Sequence, residues 1–165
     1  MISSNDSGLV HYFNTFVKWN LVLMMMAIAA LTFYQVITRY VFNNASSWSE
    51  EVIRFIFIWC SFIGAAIGLR EGIHIGINIF VNLLPRKLIP LTEIVVNIAI
   101  IVFAGYIVYY GWQTTVMADR QLSPALGIPM SWVYLSMPVM GAMTIFYCSL
   151  NSIESWRRFT ALRSI

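Results

Sequence analysis

No charged side chain occurs between Trp19 and Thr38. At 1.5 Å of rise per residue, a helix of that length covers about 30 Å, one hydrocarbon core. Lys18 and Trp19 mark one end, and Arg39 and Tyr40 the other. Cations and aromatic rings of this kind settle at the membrane–water interface. The apolar run continues past the small residues Ala27-Ile28-Ala29, so it reads as an anchor and not as a cleaved leader. Ahead of it, Leu9, Tyr12, Phe13 and Phe16 sit at helical spacing, which predicts a short interfacial helix or a frayed tail.

The rest of the chain repeats the pattern. Of its residues, 59% are hydrophobic and 10% charged, where a soluble domain carries about 25% charged residues. The expected fold class is all-α integral membrane, with four transmembrane helices in a single membrane domain over residues 1–165. The expected spans are residues 19–42, 48–70, 88–117 and 131–156. Between the second and third spans, Ile73, Ile77, Phe80, Val81 and Leu84 share one helical face and Glu71, His74, Asn78 and Asn82 another. That pattern predicts an amphipathic interfacial helix over 72–84, too short to span. Pro138, inside the fourth span, predicts a kink.

The few charges cluster at span ends. Arg39, Glu50, Glu51 and Arg54 gather around the first turn, and Arg70, Glu71 and His74 follow the second span. Ser47 with Glu50 three residues on matches a capping box, and Arg54 is placed to pair with Glu50 one turn earlier. The alternative role for Arg39, Glu50, Glu51 and Arg54 is a rim that meets partner proteins. Gln35 and Thr38, near the Arg39 end, are expected to hydrogen-bond to a neighbouring helix. Gly64 and Gly68 form a GxxxG, a candidate for close helix–helix contact, and Gly105 and Gly111 offer two more. Arg70, Glu71 and His74 read as the start of the interfacial helix or as a polar lock at that face. Arg86 and Lys87 read as an orientation signal or as a site for anionic lipid.

Four spans put both termini on one side. With that side cytoplasmic, Lys18, Arg70, Arg86, Lys87, Arg157, Arg158 and Arg163 lie inside and Arg39, Arg54 and Arg120 outside. The basic excess inside favours this orientation.

Several chemistries lack their residues. His11 and His74 are too few to ligate two b-type haems. No ionisable residue falls mid-span, where a proton relay or ion-coupled site would put one. Cys60 and Cys148 stand in separate apolar runs, with no CxxC spacing. No phosphate loop, nucleophile elbow or metal-ligand cluster occurs, so the chain is not expected to be an enzyme or to hold a cofactor. Nor does any polybasic, aromatic-interleaved patch point to nucleic acid. The residues alone describe a subunit of a membrane complex. Two alternatives stay open: an assembly factor without a transport role, and a small multidrug-type exporter. The exporter needs a buried carboxylate in its first span, and residues 19–38 contain none.

An ordered set of short motifs carries a family resemblance. It begins with Arg39-Tyr40-Val41-Phe42-Asn43, Trp48-Ser49-Glu50-Glu51, Arg54 and Phe57-Ile58-Trp59. Gly64-Ala65-Ala66, Arg70-Glu71-Gly72 and His74-Ile75 continue it, and Gly127-Ile128-Pro129-Met130-Ser131-Trp132 and Pro138 complete it. The chain resembles, from Leu21 to Ile153, the small membrane (DctQ-type) subunit of tripartite ATP-independent periplasmic (TRAP) transporters. The resemblance implies a scaffold that braces a large membrane subunit in the bacterial inner membrane. Substrate and sodium would bind in that large subunit, and a periplasmic substrate-binding protein would deliver the substrate. The transported compound would be an organic acid: a sialic acid in the first place, else a sugar acid or C4-dicarboxylate.

Overall fold

The computed structural model describes residues 8–44, 46–70 and 89–163. They form five helices: α1 (Gly8–Tyr40), α2 (Ser47–Arg70), α3 (Ile89–Ala118), α4 (Ser131–Tyr134) and α5 (Ser136–Arg163). Four segments are long and apolar enough to cross a membrane: Val10–Tyr40, Ser47–Arg70, Thr92–Ala118 and Ser131–Ile153. The interfacial helix expected over 72–84 lies outside the described residues, as do Glu71, His74, Arg86 and Lys87.

The amphipathic segment around Tyr12 is no separate interfacial helix. No glycine or proline interrupts the chain between Leu9 and Tyr40, and α1 runs through without a break. Asn43 ends it by taking a left-handed φ of 49°, and the next amide, on Asn44, turns back to the Thr38 carbonyl at 3.0 Å. Asparagine is among the few residues that tolerate this conformation. α2 then begins at Ser47. Ser47 is therefore the first helical residue, not the cap, and Ser46 precedes the helix. Both the Glu50 amide and the Ser49 hydroxyl turn back to the Ser46 carbonyl.

The fourth span shows the effect of Pro138. A proline nitrogen carries no hydrogen, so the ladder cannot return a bond to Tyr134. The helical hydrogen-bond ladder breaks at Leu135, between α4 and α5. Leu135 keeps right-handed helical angles (φ −57°, ψ −23°), so the span continues through the break.

The helices pack as an open row and not as a closed bundle. Among the described residues α1 lies on α2, α2 on α5 and α5 on α3, while α1 and α3 do not pack together. The tightest seam is α3–α5. Gly111 is buried against Met137 and Pro138, and Gly141 lies where a Cβ would stand 2.7 Å from Val108 Cγ2. A second core joins three helices: Val17 of α1, Ile67 of α2 and Tyr147 of α5, flanked by Leu21, Ile63 and Met143. Most large apolar side chains point outward; Phe33, Phe57, Phe103 and Tyr106 are each about 60–70% exposed. In water such a surface would aggregate. In a bilayer it is the surface lipid or another membrane helix covers.

Several span hydroxyls are satisfied within their own helices, whereas the buried hydroxyls of Thr144, Tyr147 and Ser152 in α5 find no partner among the described residues. Thr32, Ser61, Thr114, Thr115 and Ser149 each donate to the carbonyl four residues back, at 2.7 to 2.9 Å. A polar group in hydrocarbon needs such a partner.

Candidate functional site: the Glu51 rim and its connector

One rim of the molecule holds the α1–α2 turn and the connector from Asp119 to Met130. Its polar groups mostly bind one another. Gln35 Nε2 of α1 donates to Glu50 Oε1 of α2 at 2.9 Å. Gln35 therefore makes the interhelical bond expected of it. Thr38 does not: its hydroxyl is shared between the Tyr34 and Gln35 carbonyls of its own helix. No ion pair joins Arg54 to Glu50 among the described residues, and Arg39 and Arg54 are both exposed.

Glu51 departs furthest from expectation. It is only 6% exposed, and its Oε2 accepts two hydrogen bonds, from the backbone amides of Ala125 and Leu126, each at 2.9 Å. Helical geometry explains why two adjacent acids part company. Glu50 and Glu51 lie about 100° apart around the axis, so one faces water and α1 while the other faces inward to the connector. Glu51 is thus a clamp on residues 125 and 126, not an exposed rim contact. A hydrogen bond to a charged group contributes about 1.5–3 kcal/mol.

The connector is ordered. Leu122 and Pro129 form an antiparallel bridge. The Ser123 amide donates to Ile128 O at 2.9 Å and the Met130 amide to Gln121 O at 2.8 Å. The Gly127 amide closes the turn on Ser123 O, and Gly127 takes a φ of 66°, which favours glycine. At its ends, the Ser131 hydroxyl donates to Asp119 Oδ1 at 2.9 Å, and Trp59 Nε1 donates to the Trp132 carbonyl at 3.0 Å. Both Glu51 and Trp59 therefore tie α2 to this region.

At the opposite end, the Arg70 guanidinium lies 5.2 Å from the centre of the Tyr147 ring. Phe13 of α1 approaches Phe146 and Tyr147 edge-on or tilted, at 6.0 and 6.5 Å. A cation over an aromatic face fits a half-buried arginine where water is scarce. Glu93, near the start of α3, accepts the Ser155 hydroxyl of α5. Gly64 has open space where a Cβ would stand, so no described helix of this chain packs there, and Gly68 is half-buried.

Sequence reasoning named Glu51 without its inward role, and passed over Trp59–Trp132, Glu93–Ser155 and the packing of Gly141. A signal existed for the first: Pro124, Gly127 and Pro129 within a dozen residues imply a tight turn, and a tight turn needs acceptors for its amides.

Among the described residues no three His, Cys, Asp or Glu side chains gather as a metal site would need. The geometry joins three spans at one rim through a buried carboxylate and leaves the broad faces of the row exposed. Comparison with known proteins fits this architecture. The description "Tripartite ATP-independent periplasmic transporters, DctQ component" matches residues 28–158. The chain belongs to the DctQ family. It is a TRAP transporter small permease subunit and a multi-pass membrane protein. One relative is the sialic acid TRAP transporter small permease protein SiaQ of Vibrio cholerae, 33% identical over 123 residues, 74% of this chain and 71% of that protein. Another is the sialic acid TRAP transporter permease protein SiaT of Haemophilus influenzae, 25% identical over 82% of this chain but only 22% of that longer protein. The isethionate TRAP transporter permease protein DctMQ of Oleidesulfovibrio alaskensis is 30% identical over 79% of this chain and 22% of its own length.

Proposed function

We propose that this chain is the scaffold subunit of a sodium-coupled, binding-protein-dependent importer of an organic acid, with sialic acid the first substrate to test. The carrying observation is the 33% identity to a sialic acid small permease over most of both chains. Relatives named for C4-dicarboxylate and for isethionate make those acids the comparison substrates. The whole of 1–165 acts as one membrane domain in the bacterial inner membrane, with both termini cytoplasmic and the rim around Glu51 periplasmic. It needs no cofactor of its own; sodium and substrate bind in the large permease subunit, and a soluble periplasmic protein delivers the substrate. The SiaT and DctMQ relatives support the pairing, because there the matching segment is about a fifth of a longer permease chain. The exposed faces of the row support it too, since a brace must offer surface to what it braces. Gly64, Gly68 and the polar groups at Arg70, Glu71 and His74 are assigned to contacts with the large subunit, and Arg86 and Lys87 to orientation and anionic lipid.

The test is uptake into sodium-gradient liposomes with the binding protein outside. The large permease with this chain should accumulate labelled sialic acid, and this chain alone should not. Uptake of a C4-dicarboxylate or isethionate in place of sialic acid would replace the substrate but keep the scaffold; uptake by this chain alone would overturn the scaffold.

A further inference from the structure

We infer that the gap between α2 and α3 is a seat for one acyl chain of a membrane lipid, drawn from the leaflet at the N-terminal end of α3.

The gap is built by helices that share a neighbour without meeting. Both α2 and α3 pack on α5, but among the described residues they do not pack on each other. Between them lies a cavity of about 390 Å³. Its lining takes Leu69 from α2, residues from Val96 to Ile107 along α3, and Met140 and Thr144 from α5. All of these lie within segments apolar enough to cross a membrane. What enters the gap therefore comes from the membrane phase, as a lipid chain or as another helix.

Size decides between the two. From Val96 to Ile107 the cavity runs about 16 Å along the α3 axis, at 1.5 Å per residue. A helix about 10 Å wide would need about 1,300 Å³ over that length, far more than the cavity holds. An acyl chain is a single file of methylene groups and is much thinner. Length then fixes the depth. The apolar window of α3 runs from Thr92 to Ala118, and the cavity starts one turn inside it and stops near its middle. A run of about 16 Å is half of a hydrocarbon core about 30 Å thick, which is the reach of a chain from one leaflet.

The lining is apolar apart from Thr144, which is buried with its hydroxyl unpartnered. An acyl chain offers no acceptor at that depth, so its binding rests on the apolar walls and not on this hydroxyl. An empty gap forfeits dispersion contacts along both walls. A chain seated there restores them and joins α2 to α3, closing the row on that side.

The experiment uses this chain co-expressed with its large permease. The complex is reconstituted in phosphatidylethanolamine and phosphatidylglycerol vesicles carrying a phospholipid with a photoreactive diazirine midway along one acyl chain. After illumination, adducts are mapped by peptide mass spectrometry. Residues 96–107 should carry several-fold more adduct than Val22 and Leu23, exposed span residues of α1. Ala99, on the exposed side of the lining, allows the gap to be filled from outside. Ala99→Phe and, separately, Val96→Trp should each remove the excess while the permease still co-purifies. Thr144→Val, which keeps the shape and drops the hydroxyl, should leave it unchanged. Even labelling of α1 and α3, or an excess that survives both filling variants, would overturn the inference. Loss of the excess in Thr144→Val would do so too, because the occupant would then bind through a polar group. Complete protection of residues 96–107 would show that a permease helix or residues 71–88 fill the gap, and would equally overturn it.

Discussion

At the scale of single residues, small and acidic side chains divide the labour in a way their names do not reveal. Gly64 and Gly141 are both glycines in spans, but only Gly141 is enclosed by its own chain. Gly141→Leu should overpack the α3–α5 seam and cost about 1–3 kcal/mol, read as a lowered unfolding midpoint in detergent. Gly64→Leu should leave that midpoint unchanged, because a Cβ there meets open space. Its effect should appear as reduced yield of the complex with the large permease. Glu50 and Glu51 make the same point. Their presence at the start of a span was readable from the sequence, as was a helix there. Which of the two turned inward depended on where residues 125 and 126 came to lie, far along the chain, and no local pattern encodes that.

At the scale of elements, the helices themselves were the most readable part. Charge-free runs between Trp19 and Thr38 and between Phe55 and Leu69 had to be helices, because hydrocarbon leaves no other way to satisfy a lone segment's backbone. The break near Leu135 followed from Pro138 in the same way. What escaped was pairing between elements, since apolar faces that all suit lipid do not say which neighbour they prefer. Sparse polar bonds mark those pairings: Gln35–Glu50, Glu51–connector, Trp59–Trp132 and Glu93–Ser155. The Glu93–Ser155 bond joins α3 to α5, so Glu93→Leu and Ser155→Ala should not be additive. A double-mutant cycle in detergent should show coupling of about 0.5–3 kcal/mol. Trp59→Phe should remove one bond across the α2–α4 boundary and cost about 0.5–1.5 kcal/mol, by the same unfolding measurement.

At the scale of the whole molecule, an open row of spans is a shape that asks for a partner. A closed bundle buries its seams on itself; here α1 touches α2 along one side, and much of its remaining surface is exposed aromatic and aliphatic side chains. Lipid can cover that surface, but the matching segments of SiaT and DctMQ continue into a much longer permease chain. The central claim is that this chain does its work as a brace on such a permease. The direct measurement is co-purification in mild detergent, with a tag on this chain alone and the large permease co-expressed. The account predicts one stable complex holding both chains, narrowed in yield by Gly64→Leu and unaffected by a substitution on a lipid-covered position. A tagged chain that elutes without the permease, in its native sequence and correctly folded, would contradict it.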